Sequence, residues 1–159
     1  MYTIIIEGPD GAGKTTLINA LFTNRKNTLI VHAKRPSSDN YAEYFTDIIY
    51  DAKRVGCKLL VFDRAWYSEL VYADIMGRDV RLTTQQVNAL EDTAINCGDA
   101  MLIYLDASDE VLIKRCFEER GEDYVNKEQL VAAAGAYRKL FSSDNPNKPR
   151  IRMWGAKLS

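Results

Sequence analysis

The chain has 159 residues, 47% of them hydrophobic, which is one domain's worth of sequence with enough apolar material for a core. Its 21 Lys and Arg against 22 Asp and Glu leave a formal net charge of −1, which excludes a whole-chain field able to collect a polyanion such as duplex DNA. Cys57, Cys97 and Cys116 are odd in number and far apart, which excludes a disulfide framework or a zinc spacing and leaves core or half-buried thiols.

The first predicted strand is Thr3-Ile4-Ile5-Ile6, and it runs at once into Gly8-Pro9-Asp10-Gly11-Ala12-Gly13-Lys14-Thr15. This stretch fits GxxxxGK[ST], with a strand before it and a helix after it, the context a phosphate loop needs. Its glycines let the backbone curl with N–H groups pointing inward, so that Gly8, Gly11, Ala12, Gly13, Lys14, Thr15 and Thr16 form a cradle for anionic oxygens. Lys14 supplies a point charge to the terminal phosphates and the Thr15 hydroxyl a ligand for Mg²⁺. Nucleotide binding is the base on which the rest of the reading is argued.

A helix is expected from Thr15 to about Asn24, with Leu17, Ala20, Leu21 and Phe22 available for burial, then a strand over Thr28–His32. His32 is the single histidine, too little for Ser-His-Asp chemistry. After the loop Lys34-Arg35-Pro36-Ser37-Ser38, the spacing of Tyr41, Phe45, Ile48, Ala52 and Val55 predicts an amphipathic helix closed by Gly56. Lys58–Arg64 reads as a strand covered on both faces, delivering Asp63 and Arg64 at its carboxyl end. Helices follow over Ala65 to about Met76 and from about Thr83 to Gly98, the second burying Val87, Leu90, Ala94 and Cys97. Ala100–Leu105 is the fourth strand, and Ser108 starts a helix that runs to about Arg120 and breaks at Gly121. A last long helix carries Leu130, Ala133, Tyr137, Leu140 and Phe141, and a short strand, Ile151–Trp154, ends the pattern. Strands alternating with helices predict one α/β domain over 1–159, a three-layer α/β/α P-loop NTPase with a mostly parallel five-stranded sheet. Ligands bind at the carboxyl ends of such strands, so the loop, Arg35, Asp63 and Arg64 are expected in one cleft. With no basic leader and no apolar run of spanning length, a cytoplasmic protein without membrane contact is expected.

Three classes share the loop. A GTPase needs DxxG after the third strand, whereas Asp63 is followed by Arg64-Ala65-Trp66, and Asn147-Lys148-Pro149-Arg150 lacks a guanine-reading aspartate. Nothing points to a mechanical ATPase. A small-molecule kinase needs two facing anion sites and a lid that excludes water. Arg35 and Arg64 are candidates for an acceptor phosphate, and Arg115 and Arg120 for a short lid over about 115–127, where the alternative is a solvated helix end paired with neighbouring glutamates.

These pieces resemble the thymidylate kinase family within the group that includes deoxynucleoside kinases: Ile5–Thr16, Arg35-Pro36, Asp63-Arg64 followed by Ser68 and Val71-Tyr72, Leu105-Asp106, Arg115, Arg120-Gly121 with Asp123, and Tyr137. The resemblance implies that Asp10 lies near the acceptor sugar and phosphate and that Asp63 organises Mg²⁺ through water. It also implies that Arg64 and Arg35 hold the acceptor phosphate with Ser68 and Tyr72 nearby, and that Arg120 serves catalysis from the lid. Among the aromatic residues Tyr41, Trp66, Tyr67 and Tyr72, which offer surfaces on which a base could stack, Trp66 and Tyr72 are favoured for substrate binding. Gly11 stands where some members carry a catalytic arginine, which places the chain with those relying on lid cations. A homodimer is implied as well. The chain departs from the usual Arg-Glu-Pro-Gly-Gly at Lys34-Arg35-Pro36-Ser37-Ser38, and Ala73 replaces a common glutamine.

The expected activity is phosphorylation of a deoxynucleoside monophosphate, dTMP or a related pyrimidine, by ATP with Mg²⁺. A deoxynucleoside kinase would need a general base, commonly a glutamate just after strand two, where this chain has Lys34-Arg35. A kinase acting on a modified base or nucleic-acid end, disfavoured by the charge balance, and a non-enzymatic ATP-binding regulator are the other readings.

Overall fold

Residues 1–33, 40–119 and 125–158 are described by the computed structural model. Their elements are β1 (Tyr2–Glu7), α1 (Lys14–Leu21), β2 (Thr28–His32), α2 (Tyr41–Arg54), β3 (Leu59–Asp63), α3 (Trp66–Ile75), α4 (Thr84–Asn96), β4 (Asp99–Ala107), α5 (Asp109–Ile113), a π-helical segment (Lys114–Glu119), α6 (Lys127–Leu140) and β5 (Arg152–Leu158). The five strands form one sheet in the order β2-β3-β1-β4-β5, and every neighbouring pair is parallel.

Alternation along the strands explains the three layers, because successive side chains face opposite sides of a sheet and both sides are apolar. Ile5, Leu60, Phe62 and Leu102 point into one core with Phe45 and Ile49 of α2, Trp66 and Val71 of α3, Leu90 of α4 and Tyr137 of α6. Ile6, Val61 and Ile103 point into the other, against Ile18 of α1, Leu112 of α5 and Leu130 and Ala134 of α6. This is the expected α/β/α P-loop architecture. β1 lies at its centre, and the chain turns to β2 and β3 on one side before β4 and β5 on the other, so the loop after β1 opens at the switch point where such sheets bind ligands.

Several element details differ from expectation. α1 buries Ile18 and Phe22 and leaves Leu21 exposed; α2 buries Ile49 rather than Ile48 as its third apolar contact and leaves Val55 in water. Both shifts follow the 3.6-residue turn, which carries a three-four pattern off the buried face near helix ends. The helix expected through Arg120 is α5 followed by the π-helical turn, and Arg120–Gly121 fall outside the described residues. The last strand runs to Leu158, pairing along Met101–Ala107, because an edge strand tolerates Gly155 and Lys157 facing water. Asn126 closes a capping box at the start of α6, the helix that delivers Tyr137 to the centre of the molecule. Among the described residues no helix is long and apolar enough to cross a membrane.

Candidate active site

The loop between β1 and α1 takes a conformation that needs its glycines. Gly8 has φ +152° and packs so closely on β4 that a Cβ there would fall 2.2 Å from the Leu105 carbonyl oxygen. Gly11 has φ +84°, and its Cβ would sit 3.0 Å from Cys116 Sγ. Arg115 Nη1 donates to the Gly11 carbonyl at 3.2 Å, so the π-helical turn braces the loop from above. π-Turns are frequent at functional sites because they reposition side chains that a regular helix would carry elsewhere.

Lys14 begins α1 with its ammonium turned inward, donating to the carbonyls of Gly8 and Pro9 at 2.8 Å each. Burial, then the neighbouring Arg64 charge, pull its pKa down to about 7 against the opposing pull of Asp10, Asp63 and Glu7. Asp10, Gly11, Gly13, Lys14, Thr15, Asp63 and Arg64 line one cleft of about 200 Å³. The Thr15 hydroxyl and Asp63 carboxylate on this cleft are hard oxygen donors, the set that suits Mg²⁺, which draws its other ligands from phosphate and water. The curled glycines and inward lysine likewise fit a phosphate chain.

Arg64 follows β3 in a left-handed backbone conformation, φ +67°, fixed by its N–H donating to the Ile6 carbonyl at 3.0 Å. Its guanidinium donates through Nη2 to Asp10 Oδ1 at 2.5 Å and through Nη1 to the Tyr137 hydroxyl at 2.9 Å, and it stands 5.1 Å from the Tyr72 ring centre. Burial works against its charge, but the groups of Tyr137, Tyr72, Asp10 and Glu7 around it outweigh that and hold it cationic. Beneath lies Glu7, fully buried, with Oε1 accepting from the Ala65 and Ser68 N–H groups at 2.8 and 3.2 Å, and Oε2 from the Ser68 and Tyr137 hydroxyls at 2.7 and 2.9 Å. Burial raises the Glu7 pKa, opposed by Arg64 and by these hydrogen bonds. Asp63 is engaged from the other side by His32 Nδ1, 2.7 Å from Oδ2, the two residues being register partners across β2 and β3.

Of the residues singled out from the sequence, the loop, Asp10, Lys14, Thr15, Asp63 and Arg64 thus meet in one cleft, with Ser68 and Tyr72 beside Arg64. Thr16 is exposed at the first turn of α1, Ala12 is buried in the loop, and Arg115 reaches the loop backbone. Trp66 is placed elsewhere: it is fully buried, edge-on to Phe45 and Phe62 and tilted against Tyr67, so its ring faces are taken by the core and none is offered to a base. Arg35 and Arg120 lie outside the described residues. Glu7 and His32 are not among the site residues expected from the sequence, where Tyr137 is a matching position without a role. Glu7 abuts the loop in sequence, but its partners stand 58 to 130 residues away, and only the tertiary structure joins them.

A polyphosphate kinase 2 family profile matches residues 2–132. The chain belongs to the polyphosphate kinase 2 family. Membership in this family makes it a nucleotide-binding P-loop kinase, in agreement with the cleft. No curated protein matches it. Among solved structures, YorR from Bacillus subtilis in complex with phosphorylated GDP is 25% identical, with a TM-score of 0.75, over 98% of this chain and 85% of that one. Deoxyadenosine kinase from M. mycoides with the products dCMP and dCDP is 19% identical, with a TM-score of 0.55, over 97% of this chain and 89% of that one. The same kinase with bound dATP is 16% identical at a TM-score of 0.55. The deoxyadenosine kinase likenesses speak to the fold of this polyphosphate kinase 2 family member.

Proposed function

We propose that the chain transfers the γ-phosphoryl group of ATP to the phosphate of a deoxynucleoside monophosphate, dTMP or a related pyrimidine, as the thymidylate kinase resemblance implies. The observation that carries this reading is the cationic Arg64 on the same cleft as Lys14 and the loop, held 2.5 Å from Asp10. A guanidinium facing the phosphate loop suits an acceptor that is already anionic, whereas a neutral hydroxyl acceptor needs a general base. The YorR structure, bound to phosphorylated GDP, supports a nucleotide in such a cleft.

In this mechanism the backbone N–H groups from Gly8 to Thr16 bind the donor phosphates, and Lys14 leaves its two carbonyl partners to meet the terminal phosphate. Thr15 and, through water, Asp63 would hold Mg²⁺, which would supply charge neutralisation on the phosphate oxygens. Arg64 and Arg35 hold the acceptor phosphate, whose oxygen forms the new bond to the γ-phosphorus as the bond to the bridging oxygen breaks, giving a nucleoside diphosphate and ADP. Positioning and charge neutralisation supply the rate, with Arg115 and Arg120 closing the lid. A single domain over 1–159 with a lid at about 115–127, a homodimer and a cytoplasmic location belong to the same reading.

Lys14→Ala is expected to lower turnover on the order of 10³-fold with an unchanged circular dichroism spectrum. Normal turnover in that variant would remove the loop from catalysis. The decisive assay offers labelled ATP with nucleosides, monophosphates and a short oligonucleotide: label in a nucleoside diphosphate supports the proposal, and label in a monophosphate or an oligonucleotide end refutes it. Membership in the polyphosphate kinase 2 family favours one second reading, in which inorganic polyphosphate replaces ATP as donor.

A further inference from the structure

Arg64 is a donor at every nitrogen, so any group that fixes it must present lone pairs. The two hydroxyls beside Nη1, Tyr137 at 2.9 Å and Ser68 at 3.5 Å, can each accept or donate, and a proton turned toward the guanidinium would oppose it. What orients both is the buried carboxylate below them. Glu7 Oε2 takes the Ser68 hydroxyl proton at 2.7 Å and the Tyr137 hydroxyl proton at 2.9 Å. Each hydroxyl has one proton, and although the two oxygens also lie 3.0 Å apart, the charged carboxylate is the stronger acceptor for both, which leaves lone pairs on each for Arg64 to bridge. Oε1 is occupied by the Ala65 and Ser68 N–H groups, donors that cannot turn, which fixes the carboxylate plane.

We propose that Glu7 is a positioning residue for acceptor binding: by collecting the protons of Ser68 and Tyr137 it makes both hydroxyls acceptors, which aims Arg64 into the cleft beside Asp10. This rests on the reading of Arg64 as the acceptor-phosphate ligand, and it adds an actor that never touches substrate. The chain of polarity runs from Arg64 N–H to Tyr137 O–H to Glu7, and each step is stronger for having a charge at its end. Gln has the shape of Glu but the wrong polarity here. Its NH₂ cannot face the Ala65 and Ser68 N–H groups, so it must replace Oε2, donate to the hydroxyl oxygens and push their protons toward Arg64.

The test measures by calorimetry the affinity for dTMP, dCMP, dAMP and dGMP, and separately for ATP, in the full chain and in Glu7→Gln, Tyr137→Phe, Glu7→Gln/Tyr137→Phe and Arg64→Ala. Glu7→Gln is expected to weaken the preferred monophosphate about tenfold, the size of a lost hydrogen bond to a charged group, and ATP far less, since Glu7 is the weakest of the charges acting on Lys14, with an unchanged circular dichroism spectrum as the control for folding. Tyr137→Phe should weaken it less, and the double variant should be no worse than Glu7→Gln, because the misdirected proton is gone. Wild-type monophosphate affinity in Glu7→Gln, an equal loss for ATP, or additive effects in the double variant would each overturn the role of Glu7. Wild-type affinity in Arg64→Ala, or no monophosphate binding by the unaltered chain, would instead overturn the acceptor reading beneath it.

Discussion

The Lys14 ammonium lies almost out of water, shared between two loop carbonyls, with the Arg64 charge nearby. Its pKa of about 7 lies below the ordinary 10.5, burial being the largest cause. Between these values the unfolded chain binds more protons than the folded one, so the free protein gains stability as pH rises from about 7 to about 10.5. Donor phosphates bring negative charge to the same ammonium and raise its pKa again. ATP binding at about pH 8.5 is therefore expected to take up close to one proton, and affinity should fall as pH rises through 7. Calorimetry in buffers of different ionisation enthalpy reads the proton directly, and an observed heat independent of buffer would contradict the lowered pKa. Trp66 is a contrary example at this scale. Its indole makes it a candidate stacking surface in the sequence, but the first turn of α3 rotates it onto Phe62, and residue type carries no information about that rotation.

The π-helical turn Lys114–Glu119 and the loop meet at Gly11, where a Cβ would press on Cys116 Sγ at 3.0 Å and the Leu112 carbonyl at 3.4 Å. Gly11→Ala is expected to cost about 1–2 kcal/mol from its positive φ alone, a Tm drop of about 2–8 °C for a chain of this size. Adding Cys116→Ala should recover only the part due to the contact. Equal melting temperatures for Gly11→Ala and the unaltered chain would contradict the left-handed conformation at Gly11, and a double variant that recovers nothing would show that the turn does not press on the loop there. Most elements were legible because their signals are local: β2 and β3 are short apolar runs, and glycines follow α2, α3 and α4 as expected. The π turn was not, since its cause is contact with a loop about 100 residues earlier in the chain. Glu7 and His32 escaped for the same reason, one reading as a strand end and the other as a lone histidine, until the parallel register set His32 beside Asp63.

At the scale of the whole molecule, the choice of donor turns on how charge is distributed. A net charge of −1 supplies no long-range attraction for a chain of inorganic phosphates, so any hold on a long donor has to come from cations at the cleft itself. Among the described residues these are Lys14 and Arg64, both on the lining, and Arg115 above the loop. In the proposed mechanism Lys14, Arg115 and Arg120 face the donor while Arg64 and Arg35 serve the acceptor, and three cations match the triphosphate of ATP better than an extended polymer, whose further phosphates would meet a surface of mixed sign. With a deoxynucleoside monophosphate as acceptor, ATP is therefore expected to give the higher kcat/KM. The rate with polyphosphate, compared at equal concentrations of chain ends, should not grow once the chain exceeds a few phosphates. Raising ionic strength should lower both rates modestly, because the screened contacts are few and close. A rate that climbs steadily with polyphosphate length and falls steeply with salt would mean that the polymer is held along a cationic path beyond the cleft, and the donor assignment would pass from ATP to polyphosphate.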